Sequence, residues 1–246
     1  MGKRNSYSAF SKKLLSLTGR FQTWQIWRDF ITMFATAISN QVDPLHTEER
    51  EGLYLKTAAA YTSEELEVFS ELIAETIGAI LENPERDFLG EAYMELELQN
   101  HWVGQFFTPY QICHFMASIN MGASQDVMAK IKQQGYFSVS DPACGAGAML
   151  IAAANIIRTA FLSEEDPSDW QNHVLLVGQD IDHIAGLMCY IQLSVLGAPG
   201  FVKIGDTLAD PIHWGDDLSN YWFTPGFAVL NQTRRIGHEK IKGIGA

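Results

Sequence analysis

The sequence predicts a mixed α/β chain, a helical N-terminal region followed by a parallel, doubly wound α/β sheet. Three observations predict it. Apolar residues recur every three or four positions through the first 100 residues. Short β-like runs alternate with apolar helical stretches beyond Asn100. A small-residue turn, Asp141 to Gly147, stands between the first such run and its helix.

The elements follow in order. From Arg20 to Asn40, Phe21, Trp24, Trp27, Phe30, Ile31, Phe34 and Ile38 lie on one helix face, a stripe that suits a core or an interface. Thr62 and Glu65 have capping-box spacing ahead of a second stripe of Leu66, Phe69, Leu72, Ile73, Ile77 and Ile80, which Asn83-Pro84 ends. A shorter helix runs from Asp87 to Leu98. Past Asn100, Tyr136–Ser140 reads as a strand, Ala146–Phe161 as a helix and Ser163–Asn172 as a polar loop. Val174–Val177 is a second strand, Ile181–Leu196 a helix and Phe201–Ile204 a third strand. Tyr221–Leu230 holds a fourth strand and a turn. The division is residues 1–100, a helical region with a basic arm; 101–230, the α/β domain; and 231–246, a polar tail.

The 246 residues are 47% apolar and 19% charged, which excludes overall disorder. No apolar run approaches the roughly 20 residues of a membrane span, and Met1–Phe10 has no apolar segment behind it of the secretory kind. Cys113, Cys144 and Cys189 are odd in number and lack metal-ligand spacing, so neither a disulfide framework nor a zinc site is expected. A reducing cytoplasm is the natural compartment.

The formal charge of −12 is uneven. Residues 1–28 carry +6 and residues 234–246 carry +3, leaving −21 on the remainder. So acidic a body repels a phosphate backbone. Nucleic acid is expected to meet the basic ends or a partner chain; the same ends also suit a solvated surface.

Three acids end successive strands. Asp141-Pro142-Ala143-Cys144-Gly145-Ala146-Gly147 closes the first strand, Gly178-Gln179-Asp180-Ile181-Asp182 the second and Gly205-Asp206 the third. Ligands of open α/β sheets bind at that edge, and glycines there let a ligand approach the backbone. A dinucleotide fingerprint wants a third glycine at 150, where this chain has Leu150. An acid at 180 suits ribose hydroxyls and one at 206 an adenine amine, although each alone also suits a helix N-cap. Asp180 and Asp206 are expected to line one pocket with Gly145 and Gly147. Upstream, Gly104-Gln105-Phe106-Phe107-Thr108-Pro109 offers Thr108 as an N-cap and Pro109 as first helical residue. His101, His114 and His183 read as packing or surface residues, and Asp216-Asp217 as loop surface.

In this order, GQFFTP, DPACGAG, GQDID and GD resemble the adenine-N6 DNA methyltransferases, above all the modification subunits of type I restriction-modification systems. The resemblance is good over 101–210 and loose over 20–100. It implies a Rossmann-like sheet of seven strands, of which four are found, so the sheet reads as truncated. It implies S-adenosylmethionine as cofactor. Phe107, Thr108 and Pro109 would flank the methionine end, and Asp141, Ala143, Cys144, Gly145 and Gly147 would form the loop under it. Asp180 would hold the ribose, Ile181 pack on the adenine and Asp206 take its amine. DNA is the implied substrate, reached through the basic ends or a partner chain, with a protein partner or second copy covering the open sheet edge.

The family holds its target adenine with Asn, Asp or Ser followed by Pro-Pro and an aromatic. The nearest segment here is Thr224-Pro225-Gly226-Phe227. Thr224, Pro225 and Phe227 would be a degenerate acceptor site, or the segment is a turn. A working methyltransferase and a catalytically silent, cofactor- or partner-binding subunit of a DNA modification complex both remain open on this sequence.

Overall fold

The computed structural model describes residues 8–98 and 107–230, Glu165 and Trp214 excepted. The two basic ends therefore fall partly outside it, as do Gly104, Gln105 and Phe106 and the whole tail 231–246.

Five helices build the N-terminal region: α1 (Ala9–Leu15), α2 (Thr23–Val42), α3 (Thr47–Ala58), α4 (Ser63–Glu82) and α5 (Phe88–Glu95). The aromatic stripe forms α2 and buries Trp27, Phe30, Ile31 and Phe34. Trp24 departs from it and is 41% exposed. Both halves of the Thr62–Glu65 capping box form at α4, and Asp87 caps α5 by accepting the Gly90 N–H. Three of the described N-terminal basic residues have acidic partners. Lys13 pairs with Glu71 and Glu75, Arg20 with Glu65, and Arg28 with Asp29. Lys3 and Arg4 of the expected basic arm lie outside the described residues.

Helices α6 (Tyr110–Met121) and α7 (Ser124–Gln134) lead to the sheet. Its strands are β1 (Phe137–Asp141), β2 (Val174–Asp180), β3 (Gly200–Ile204) and β4 (Tyr221–Phe223), in spatial order β1-β2-β3-β4. Helix α8 (Ala148–Ala160) follows β1 and α9 (His183–Val195) follows β2. The first three strands are parallel, and β4 is antiparallel to β3, which corrects the all-parallel expectation. Between Ile204 and Tyr221 the described chain has one short 3-10 turn and no crossover helix, so it returns as a reversed neighbour.

Among the described residues the sheet is also not doubly wound. Side chains alternate between faces, and Val139, Leu176, Val202 and Trp222 share one face by register. Both α8 and α9 lie on that face: a Cβ at Gly178 would meet Leu150 of α8, and one at Gly186 of α9 would meet Ile204 and Val202. On the other face the loop after β3 covers Gln179 and Lys203 through bonds to Asp210 and Asp216. Ser138 and Ser140 stay exposed there, and Leu175, Val177, Phe201 and Phe223 only partly covered.

One contiguous core runs from Phe10 to Trp222, so helices and sheet share it. A polar tie reinforces the junction. Arg50 of α3 lies over the Trp222 ring at 3.8 Å, donates to the Tyr221 carbonyl at 2.6 Å and pairs with Asp43 at 2.8 Å. No helix of the described residues is long and apolar enough to cross a membrane.

Candidate functional site

Parallel pairing brings the C-terminal ends of β1, β2 and β3 to one edge, where Asp141 stands opposite Gly178 and Asp180 opposite Ile204. The turn between β1 and α8 is fixed by its main chain. The Ala143 N–H donates to Asp141 Oδ1 at 3.1 Å and the Cys144 N–H to the Gln179 carbonyl at 2.9 Å. The Gly145 N–H donates to Asp180 Oδ2 at 2.7 Å. Asp180 Oδ1 accepts the Asp182 N–H at 2.9 Å, and Asp182 caps α9 by accepting from Ile184 and Ala185. The N-cap role open to Asp180 belongs to Asp182, while Asp180 joins the two loops.

Two glycines are demanded by geometry. Gly147 has φ +98°, and a Cβ there would lie 2.8 Å from Cys189 Sγ. Gly145 has φ +53°, and its Cβ would stand 3.1 Å from the Phe107 ring. The turn is thus a bare main-chain surface with aromatic carbon pressed against it.

In front of this turn lies a cavity of about 1030 Å³. Eight residues expected from the sequence line it: Phe107, Thr108, Asp141, Ala143, Cys144, Gly145, Asp180 and Ile181. Ile181 is 71% exposed, an apolar face offered to whatever enters. The helical region supplies lining that no motif announced: Trp24, Asp87, Tyr93 and Leu98. The stripe of α2 reports which face of the helix is apolar, not what stands opposite its end.

Burial raises the pKa of Asp141 and Asp180. Main-chain N–H donors oppose that rise, and the neighbouring carboxylates, Asp180 for Asp141 and Asp182 for Asp180, add to it. Asp87 is also pushed up by burial, against hydrogen bonds from Gln192 and Gly90.

Other expected residues lie elsewhere. Gly147 packs behind the turn on Cys189. Pro109 faces a neighbouring cleft of about 520 Å³ that shares Phe107 and Thr108 with the cavity. Thr108 is not a helix cap: Pro109 takes the cap position with φ −54° and ψ 138°, extended, and α6 begins at Tyr110. Asp206 shares the edge but is exposed and turned into its own loop, accepting the Leu208 N–H at 2.9 Å. It does not line the cavity with Asp180.

Of the two readings of Thr224, Pro225 and Phe227, a degenerate acceptor site or a turn, the geometry is that of a turn away from the cavity. Because β4 runs backwards, these residues lie at the opposite edge of the sheet, beside the start of β3. The Thr224 Oγ1 accepts the Gly200 N–H at 3.0 Å and donates to the Ala198 carbonyl at 2.8 Å. It also accepts the Phe227 N–H at 3.3 Å, capping a helical segment over residues 225–230. A Cβ at Gly226 would meet the Gly197 carbonyl at 2.8 Å. The segment is a packed turn, remote from Asp141 and Asp180.

Among the described residues no three His, Cys, Asp or Glu side chains gather to hold a metal ion. The three cysteines are free and buried. Comparison with curated proteins finds no match. A family model, described as N-6 DNA Methylase, matches residues 84–224, more than half of the chain, taking in α5 through β4 and every turn of the cavity's sheet edge. With its mixed α/β fold and four-stranded open sheet, the chain belongs to the N-6 DNA methylase family, the adenine-N6 DNA methyltransferases.

Proposed function

We propose that the cavity binds S-adenosylmethionine, and that the chain is the cofactor-holding part of a DNA adenine-N6 modification enzyme of the type I modification-subunit kind. The observation that carries this reading is the Gly145–Asp180 hydrogen bond, which unites the β1 turn and the β2 tip around one cavity. Family membership supplies the reaction class.

The residues fit the group. Asp180 spends one lone pair on each of two N–H donors and keeps capacity for ribose hydroxyls. Ile181 gives an apolar face for a purine. Asp141, Phe107 and Thr108 surround the space left for the methionine end, and the glycine turn leaves room for it. Asp206 is left out of this set. When bound, S-adenosylmethionine supplies an electrophilic methyl group; this chain's residues hold and orient it and exclude water.

A second reading is favoured by the position of Thr224. Its hydroxyl is spent on Gly200 and Ala198, so it is not free to hold an adenine amine at the cavity. The chain then holds cofactor, and the flipped adenine is presented by residues outside the described set or by another chain. The partly uncovered sheet face suits such a partner or a second copy, and the acidic body leaves DNA to it. The buried free thiols suit a reducing cytoplasm.

The test is calorimetric titration with S-adenosylmethionine, followed by a methyl-transfer assay on unmodified duplex DNA. Binding without transfer by the chain alone supports the second reading. Binding with robust transfer makes the chain a complete enzyme. No binding contradicts both.

A further inference from the structure

The cavity has a wall outside the sheet-edge motifs. Trp24 of α2 stands edge-on to Tyr93 of α5 at 6.4 Å between ring centroids, and Tyr93 lies 5.2 Å from Phe107. Phe107 in turn closes on Gly145. This aromatic row runs from the helical region to the glycine turn, and every member lines the cavity. Trp24 is its exposed end; Trp27, three residues on, is fully buried. Trp24 thus leaves indole surface open on the cavity lining.

The charge of the lining defines that ligand. Four acidic side chains line the cavity, Asp87, Asp141, Asp180 and Asp182, and the described lining residues include no Lys, Arg or His. Aromatic faces beside carboxylates, with no competing cationic side chain, are the surroundings that attract a cation lacking N–H donors. A sulfonium is such a cation. It cannot donate a hydrogen bond, so ring faces and the field of nearby carboxylates are what can recognise it.

We infer that the Trp24–Tyr93–Phe107 wall recognises the sulfonium of S-adenosylmethionine, so that the cavity holds the methyl-bearing cofactor in preference to its demethylated product. This rests on the cavity's reading as the S-adenosylmethionine site. The cofactor carries a net charge of +1, and S-adenosylhomocysteine, with a neutral thioether in place of the sulfonium, carries none. The helical region is thereby a specificity element of the site as well as its support. Trp24 is a specificity-determining residue, since it meets the cofactor's charge and not the acceptor.

Calorimetry on the full chain with both compounds, at one ionic strength, tests this. The wild type should bind S-adenosylmethionine roughly tenfold more tightly than S-adenosylhomocysteine. Trp24→Leu should remove most of that preference by weakening the sulfonium compound, leaving the thioether within about twofold; Trp24→Phe should retain it. Should Trp24→Leu fail to fold, the wild-type ratio decides, and it should fall toward one as salt rises, because part of it is unscreened charge. Equal affinities in the wild type, or tighter binding of S-adenosylhomocysteine, overturn this inference while leaving the cofactor site standing. So does a folded Trp24→Leu that weakens both compounds alike. Binding of neither compound overturns the inference and the cofactor reading together.

Discussion

Asp180 and Gly145, 35 residues apart, are joined by a 2.7 Å hydrogen bond from the glycine N–H to the aspartate Oδ2. That bond fixes the β1 turn against the tip of β2 and sets the floor of the cavity. Asp180→Ala should therefore weaken S-adenosylmethionine binding about 10- to 150-fold, the equivalent of roughly 1.5–3 kcal/mol for hydrogen bonds to a charged group. An unchanged dissociation constant in a folded variant would reduce Asp180 to a loop fastener.

Thr224 provides the opposite expectation. Thr224→Val removes the acceptor of the Gly200 N–H and the donor to Ala198 at a fully buried position. Stability should drop by about 1–3 kcal/mol, read as a lower denaturation midpoint. The dissociation constant for S-adenosylmethionine should stay the same, because the segment lies at the far edge of the sheet. Loss of cofactor binding with stability intact would place Thr224 at the site.

Gly147 separates backbone strain from space. Gly147→Ala forces an L side chain to φ +98° and sets its Cβ 2.8 Å from Cys189 Sγ. Gly135→Ala meets the same kind of strain at φ +81°, with nothing within 4 Å. Left-handed backbone costs about 1–2 kcal/mol at either position, and Gly147→Ala should cost distinctly more. Equal losses in urea unfolding would show that Cys189 yields freely.

Asp87 links stability to pH. Burial holds its folded-state pKa above the unfolded value of about 3.9. A raised carboxylate gives stability in its protonated form, fully present below the unfolded pKa and lost as pH rises through the folded one. Asp87→Asn keeps an Oδ1 for Gln192 and Gly90. The stability difference, wild type minus variant, should fall with rising pH above about 4, by at most about 1.4 kcal/mol per pH unit. At pH 7 the variant should be at least as stable. Asp216 behaves in the opposite sense. Lys203 and Tyr221 depress its pKa, so its contribution is present above the unfolded value and lost as pH falls through the folded one. Taking the difference between the two proteins cancels that background. A difference that rises with pH would contradict the assignment.

Much of this was legible in the sequence because it was written in apolar spacing and turn chemistry. The α2 stripe, the Thr62–Glu65 box and the three parallel strand ends are of that kind. Helix α3 was not legible, since its one buried residue is Arg50, held by Asp43, the Tyr221 carbonyl and the Trp222 ring. Nor was the direction of β4, which depends on the length and path of a loop. That direction carried Thr224 away from the cavity. The glycine turn and Asp180 were readable as neighbours on one sheet edge, whereas Trp24 and Tyr93 reach the same cavity only through the packing of helices on the sheet.

The proposed occupant of the cavity between the glycine turn and the helical region is S-adenosylmethionine. Titration of the purified chain with S-adenosylmethionine in a calorimeter, with Asp180→Ala alongside, tests it most directly. The predicted result is saturable one-site binding by the wild type that is strongly weakened in the variant. Absence of saturable binding to a folded wild type, or identical isotherms for the two proteins, would contradict it.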